Sequence, residues 1–511
     1  MWRVKGGAPT IAISGTGPNR WVMTRTYIKS LFRDVPCNPL AGLMPALLLT
    51  ALVAQPQTLT VTLSPGMNVQ SVVSANPEGT TFVFQPGIYR LQSIQPLNGD
   101  IFVGQNNSIL SGAQVLTTFT RQGNYWVAGG QTQQGQTAGT CLPQYPMCVY
   151  PEDLYFDNVP LLHVASLSAV GPGSWYFDYP NHNIYFFDNP NGHVVEASVT
   201  RSAFSGPAAN VSISGLTVEK YAIPAQFGAI GDQYPGPNWT VTNNEVRWNH
   251  GTGITLLGGS QANLNYCHHN GDKGIGGTGT NVLVEGNLVS FNNWAGFDPG
   301  WEAGGMKFAL TTNLIVRGNS VHDNAGPGIW ADVGNINTLI ESNVVINNTG
   351  ATGAGIVDEI SYSAIIRYNT TSYNTTASPI WLWGSQILIQ NSQNVQVYGN
   401  SVETLSTGGN GIGIIYQSRG SGALGPYLAI NNSVHNNTIV YRGGVSSSGE
   451  VADFNEQFWL QNGNNSFDYN AYHLIDPNLY HWNWGPGVTF AGLHKAGQEL
   501  HGTADAIMPI R

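Results

Sequence analysis

From residue 58 onward, short runs of alternating apolar and polar residues dominate the chain, broken at intervals by Gly, Pro and Asn. Alternation with period two predicts strands, because successive side chains of a strand point to opposite faces. The first runs are TLTVTLSPGMNVQSVV, TTFVFQPGIYRLQSI and DIFVGQNNSILSGAQVL, between residues 58 and 116. Within them, NVQSVVSA reads as a short amphipathic helix that closes the end of a stack. Between Asn210 and Gly443 one unit recurs: Asn-x-Val-x-x-Asn, then Gly and an apolar residue. Clear copies start at Asn244, Asn265, Asn287, Asn319, Asn343 and Asn369, with weaker ones at Asn400 and Asn436. The steps from Asn244 to Asn400 are 21, 22, 32, 24, 26 and 31 residues.

A base period of 21–22 residues suits one solenoid coil, with insertions where the step lengthens. One coil cannot bury its own inner face, so neighbours must stack. Stacking sets equivalent residues about 4.8 Å apart. An Asn at each bend can then bond the amides above and below in a ladder, and Asn and Gly tolerate the left-handed backbone of a sharp bend. These features predict an all-β, right-handed parallel β-helix with three strands per coil, over residues 56–511. Residues 117–205 are aromatic and irregular, and are expected to form a β-rich insertion. Residues 445–511 leave the repeat and are expected to cap it, with a short helix from Thr489.

Charged residues are only 9% of the chain, and the formal net charge is −10. With no basic stripe to displace counterions from phosphate, nucleic acid is not an expected partner. A basic stretch (Arg20, Arg25, Lys29, Arg33) precedes the apolar run LAGLMPALLLTALVA from Leu40 to Ala54. That run is short and interrupted by Pro, and suits the apolar core of an export signal. Residues 1–55 are therefore read as a leader, and the mature protein as secreted, free of the membrane. Cys141 and Cys148 bracket a Pro-containing loop and are placed for a local disulfide outside the cytosol. Cys267 lies at an apolar repeat position and reads as a buried thiol.

Chemistry on a solenoid belongs on its outside. Aligning coils on the Gly-apolar step sets Gly296-Phe297-Asp298 on Gly328-Ile329-Trp330, then on Gly355-Ile356-Val357 and Pro379-Ile380-Trp381. With Phe297, Ile329, Ile356 and Ile380 inward, alternation sends Asp298, Trp330, Val357 and Trp381 outward. Asp332, Glu359 and Trp383 follow on the same face. The longest early step carries DPGWEAGGMKF, which adds Trp301, Glu302 and Lys307. Flat aromatic rings suit the C–H faces of sugars, and glycosidic cleavage uses two carboxyl groups across the bond, about 5 Å apart in retaining enzymes and roughly 6.5–9.5 Å in inverting ones. Asp332 and Glu359, on adjacent coils, are the candidate acid and base or nucleophile. Glu302 is the third carboxylate and Lys307 its electrostatic partner. Asp298, Trp301, Trp330, Trp381, Trp383 and His322 are candidate substrate contacts. No metal is required by this reading, although calcium on Asp298, Glu302 and Asp332 is an alternative use of the acids. Asp358 is expected to turn inward or into a bend, where it would cap backbone amides, and Asp323 and Glu341 to lie on other faces. His268 and His322 are expected at one ladder position, two coils apart, which is too far to share an ion.

The motifs PGMNVQSVV…TTFVFQPGIYRL, NHGTGI, NGDKGI, WEAGGMKF, GIWADV, GIVDEISY and TFAGLHKAGQE resemble the secreted bacterial right-handed β-helix proteins of the pectate-lyase-like superfamily. The resemblance spans residues 58–511. It implies a carbohydrate-active protein without fixing the reaction, since such folds carry hydrolases, lyases, epimerases and phage tailspikes. The Asp-Pro-His-Asp motif of mannuronan epimerases is missing, as is the Arg-Pro-x-x-Arg arrangement of calcium pectate lyases. A glycoside hydrolase acting on a poly- or oligosaccharide is the leading expectation. A polysaccharide lyase or uronate epimerase with Lys307 as base is the second, weakened because only Lys307 and distant arginines are available to bind a uronate. A non-catalytic glycan-binding or adhesion β-helix is the third.

Overall fold

The computed structural model describes residues 59–350, 355–376 and 380–509. The leader at 1–55, and Pro379 of the coil alignment, lie outside the described residues. The chain winds as a parallel β-helix of three strand columns. One column runs through Thr240–Thr242, Gln261–Asn263, Leu283–Glu285, Ile315–Arg317 and onward, each strand parallel to the next. A second runs through Glu245–Arg247, Tyr266–His268, Leu288–Ser290, Ser320–His322 and Val344–Ile346. The third, which carries the candidate site, runs through Lys273–Thr280, Gly304–Thr312, Ile329–Ala331, Ile356–Glu359 and Ser385–Gln390.

The core is built by vertical stacking. Ile254, Ile275, Met306, Ile329, Ile356, Ile387 and Ile412 occupy successive rungs of one inward position. All are essentially without solvent contact. Each coil thus covers the apolar side chain of the one before, which is how short strands bury a continuous core.

The Asn ladder is present twice. One runs from Asn244 through Asn265, Asn287, Asn319, Asn343, Asn369, Asn400 and Asn437 to Asn470. The other runs from Asn249 through Asn270, Asn292, Asn324 and Asn348 to Asn374. Each amide oxygen accepts from both the backbone N–H and the side-chain amide of the preceding Asn, so buried polar groups satisfy one another. The backbone role expected of these Asn residues falls elsewhere. The left-handed residue is the one before each ladder Asn: it is Asn or Gly at Asn243, Gly286, Gly318, Asn347, Gly399 and Asn436, as expected of these residue types, but Leu264, Ser342, Tyr368, Trp248, His269 and Phe291 elsewhere. Glu499 closes the first ladder, its carboxylate accepting from Asn470 and Tyr472. It follows the helix Phe490–Lys495, whose N-cap is Thr489.

Between the strands Ala113–Leu116 and Val195–Ser198 the chain leaves the coils and forms two small, mostly antiparallel sheets. Trp175, Phe177, Ile184 and Phe186 fill their separate core. A loop from this module, closed by a disulfide between Cys141 and Cys148, lies on the long insertion before Gly304. Leu142 N–H donates to Gly296 O at 2.9 Å and Asp298 N–H to Thr140 O at 2.8 Å. Cys267 is a buried free thiol. No helix among the described residues is long and apolar enough to cross a membrane.

Candidate functional site

The site lies on the outer side of the third column. Strand Gly304–Thr312 pairs so that Met306 faces Ile329 and Lys307 faces Trp330. The outward position therefore reads Gly276, Lys307, Trp330, Val357, Leu388. Asp332 follows Ala331, the partner of Asp358, and so lies over Glu359, about 4.8 Å away as a rung.

Lys307 is the hub. Its ammonium forms ion pairs with Glu302 Oε2 and with Asp332 Oδ2, each at 3.0 Å, and donates to the Trp301 carbonyl at 2.8 Å. It also stands 3.7 Å from the centroid of the Trp330 ring, a cation–π contact set by the register. Glu302 binds Lys273 with its other oxygen, and Lys273 donates to Asp272 Oδ2 at 3.1 Å. Gly276 permits this, since a Cβ there would come within 2.9 Å of the Lys273 stem. At the far end, Glu359 Oε1 pairs with Arg419 at 2.6 Å and Oε2 accepts from Trp330 Nε1 at 3.0 Å. Charges alternate from Asp272 to Asp332, and two carboxylates then stand side by side.

Environment separates the carboxylates. Burial pushes Glu302 upward, but the charges of Lys273 and Lys307 outweigh it and hold the carboxyl below its ordinary value. Burial and then the charge of Asp332 push Glu359 above its ordinary value, against the pull of Arg419 and Lys307. Asp332 is the most open, with 18% of its side chain exposed against 11% for Glu302 and 8% for Glu359. A carboxyl held above its ordinary value beside a more accessible one is the arrangement that paired-carboxyl chemistry needs.

Several expected placements are corrected. Phe297 is outside the coil, bridged to Cys141, because the insertion precedes the strand instead of following it. Asp298 therefore does not join the outward column. It folds the insertion, its Oδ1 accepting from Gly300 N–H and its carbonyl from Trp301 and Glu302 N–H. Ile356 pairs with Ile387, not with Ile380, which is 68% exposed. Trp381 and Trp383 lie in a turn before that strand. They pack with Trp330, Val357 and Leu388 as an outer apolar cluster. Trp330 is buried under Lys307 and is no open sugar platform, whereas Trp301 is half-buried and packs beside Phe297 next to Gly139. His322 stands on the second column, paired with Asp323 at 2.7 Å. It does share a ladder position with His268, with Ser290 between them. Asp358 is inward and fully buried. The place an ion would take between Glu302 and Asp332 is filled by the Lys307 ammonium. Among the described residues no three acidic, imidazole or thiol groups are arranged to hold a metal.

A family model described as "right handed beta helix region" matches residues 231–476. The chain is a right-handed parallel β-helix. No curated protein sequence matches it. Among solved structures, XylC in complex with xylose superposes with a TM-score of 0.63 at 15% identity, covering 80% of each chain. The A-module of the mannuronan C-5 epimerase AlgE4 of Azotobacter vinelandii gives 0.45 at 12% identity over 86% of this chain and 92% of that one. A mannuronic acid-specific family 6 polysaccharide lyase from human gut microbiota gives 0.40 at 12% identity over 88% and 92%. At such identities the likeness is one of fold.

The β-helix also brings in residues that sequence reasoning passed over. Asp272 and Lys273 lie in the NGDKGI coil, one rung before the insertion, and a corrected alignment pairs Lys273 with Gly304. Arg419 comes from a loop between coils, with no repeat position to betray it. Together they overturn the argument that only Lys307 and distant arginines serve this face.

Proposed function

We propose that this β-helix is a carbohydrate-active enzyme, and that it is a glycoside hydrolase. Glu359 acts as proton donor to the departing sugar oxygen, and Asp332 as the carboxyl group that attacks or stabilises the anomeric carbon. The single observation behind this is the pair itself: two stacked carboxyl groups, one raised by burial and by its neighbour, the other bound to Lys307. A rung spacing of about 4.8 Å is near the separation of about 5–5.5 Å used by retaining enzymes. Lys307 and Glu302 hold Asp332 in place. Trp381 and Trp383, half-buried at the edge of the cluster, are the aromatic surface left for a sugar. Activity needs no added metal in this mechanism, so a chelator should leave it intact. The disulfide supports a place of action outside the cytosol.

Arg419 favours a second reading. Its side chain is 31% exposed beside Glu359 and could meet a sugar carboxylate, as a uronate lyase or epimerase requires. Lys307 is poorly placed as a base for that chemistry, since it is buried against two carboxylates and the Trp301 carbonyl. A polysaccharide panel should be followed by reducing ends and by ultraviolet absorbance of unsaturated products. The hydrolase yields reducing ends alone. Glu359→Gln and Asp332→Asn should each lower turnover by about 10³-fold. Full activity in both variants, or unsaturated products from the wild type, would sink the hydrolase assignment. Binding without any product would favour an adhesin.

A further inference from the structure

A second, unrelated cavity opens where the antiparallel module meets the coils. Its volume is about 220 Å³. Tyr145, Met147, Leu161, Leu162 and Trp294 give it largely apolar walls, and His163 lines it from the module. Its charged wall is closed on itself. Asp153 Oδ1 bonds His250 Nδ1 at 3.0 Å, and His250 Nε2 bonds the Cys148 carbonyl at 2.8 Å. Burial pulls His250 down, but Asp153 more than restores it and holds the imidazole above its ordinary value, with an acceptor on each ring nitrogen.

His163 is the anomaly. It is 91% buried, stacked on Trp175 with centroids 4.1 Å apart, and held by Tyr150 from the side. Neither of its ring nitrogens has a hydrogen-bond partner among the described residues, and the Trp294 indole N–H has none either. Buried polar groups are nearly always paired, so an unpaired donor and acceptor beside a cavity call for an occupant. Half a turn of the imidazole about Cβ–Cγ exchanges each nitrogen with a ring carbon. The same packing can therefore present a nitrogen to the cavity. Burial lowers the imidazole to about 3, so it offers one N–H and one lone pair and carries no charge.

We propose that this cavity binds a small neutral aromatic alcohol or phenol, its ring among the apolar walls and its hydroxyl on His163. Size supports the ring, since a cavity of about 150 Å³ accepts benzene. The polar handles are too few for an unsubstituted sugar, which carries a hydroxyl on nearly every carbon. The cavity is also distinct from the carboxylate site. Phe297 stands between them, 5.5 Å from His250 and 6.4 Å from Trp301 by ring centroids.

Benzyl alcohol, toluene and benzoate titrated into the full chain, followed by saturation-transfer NMR, test this. Benzyl alcohol should saturate, and benzoate should bind roughly tenfold more weakly or worse, because burying its charge finds no counter-ion. His163→Phe should weaken benzyl alcohol roughly five- to tenfold while leaving toluene unchanged. Met147→Trp, from the half-buried rim, should fill the cavity and abolish binding. Leu162→Trp, at a position 40% exposed, provides the same plug where the first variant folds poorly. No saturable binding to the wild type, benzoate binding as tightly as the alcohol, or binding unchanged in both plugged variants would overturn the proposal.

Discussion

Lys307 shows how one residue can fix the chemistry of its neighbours. It neutralises Glu302 and Asp332 at once and stacks on Trp330, which in turn binds Glu359. Replacing it by Met keeps the stem but removes the charge. Glu302 would keep Lys273, but Asp332 would be left without a counter-ion beside two other carboxylates, and losing one member of a buried pair costs about 3–5 kcal/mol. Lys307→Met should therefore unfold at clearly lower urea, and Lys307→Arg should recover part of the loss. If Lys307→Met unfolds at the wild-type midpoint, the ion chain contributes nothing to holding the site. Sequence alone could assemble Glu302, Lys307, Asp332 and Glu359, because Asp332 and Glu359 follow the repeat and the longest step brings the other two beside them. It could not show that Trp330 lies beneath Lys307, since outward and exposed are not the same once a second layer covers the strand.

At the scale of the element, the repeat carries two separate signals that look like one. The ladder Asn supplies hydrogen bonds, and the residue before it supplies the bend. Asn319 accepts from the backbone and side-chain amides of Asn287 and donates to Asn343 and to Val284 O. Asn319→Ala strands several buried groups at about 1–3 kcal/mol each, so a loss of at least about 3 kcal/mol is expected in chemical denaturation. Leu264 is the opposite case. It is 61% exposed and held at φ +56°, a conformation that costs an ordinary residue about 1–2 kcal/mol. Leu264→Asn should leave stability unchanged or raise it. A loss as large as that of Asn319→Ala would show that the Leu side chain itself holds the bend. The coil period, the ladders and the inward direction of Asp358 were all legible, because stacking repeats them. The place of the insertion was not. Gly296-Phe297 and Gly305-Met306 both fit a Gly-apolar step, and only the pairing of Met306 with Ile329 chooses between them.

Across the whole molecule, one inward column collects two acids. Phe308, Ala331, Asp358, Ile389, Ile414 and Glu450 succeed one another. Burial lifts the Asp358 carboxyl from 3.8 to about 7 and the Glu450 carboxyl from 4.5 to about 8. Both oxygens of Asp358 lack hydrogen-bond partners among the described residues. A raised carboxyl pKa means the folded state keeps a proton that the unfolded chain has released, so stability falls as pH rises toward the folded value. Below about pH 6.5 two histidines oppose this. Burial lowers His163 to about 3 and His269 to about 4, and each gains stability as pH rises to its ordinary 6.5. From pH 6.5 upward that gain is complete while the carboxyls are still titrating. The window from pH 6.5 to 8 should therefore show falling stability, at up to about 1.4 kcal/mol per pH unit for each group still titrating. Urea midpoints across that window measure the slope. Glu450→Gln keeps an acceptor for Asn465, which donates to Glu450 Oε1 at 3.0 Å, and removes one titration. Asp358→Asn removes the other, and the double variant should keep only a shallower slope, to which His250, held above its ordinary value, still contributes. An unchanged slope in the double variant would place the pH response outside the coil interior.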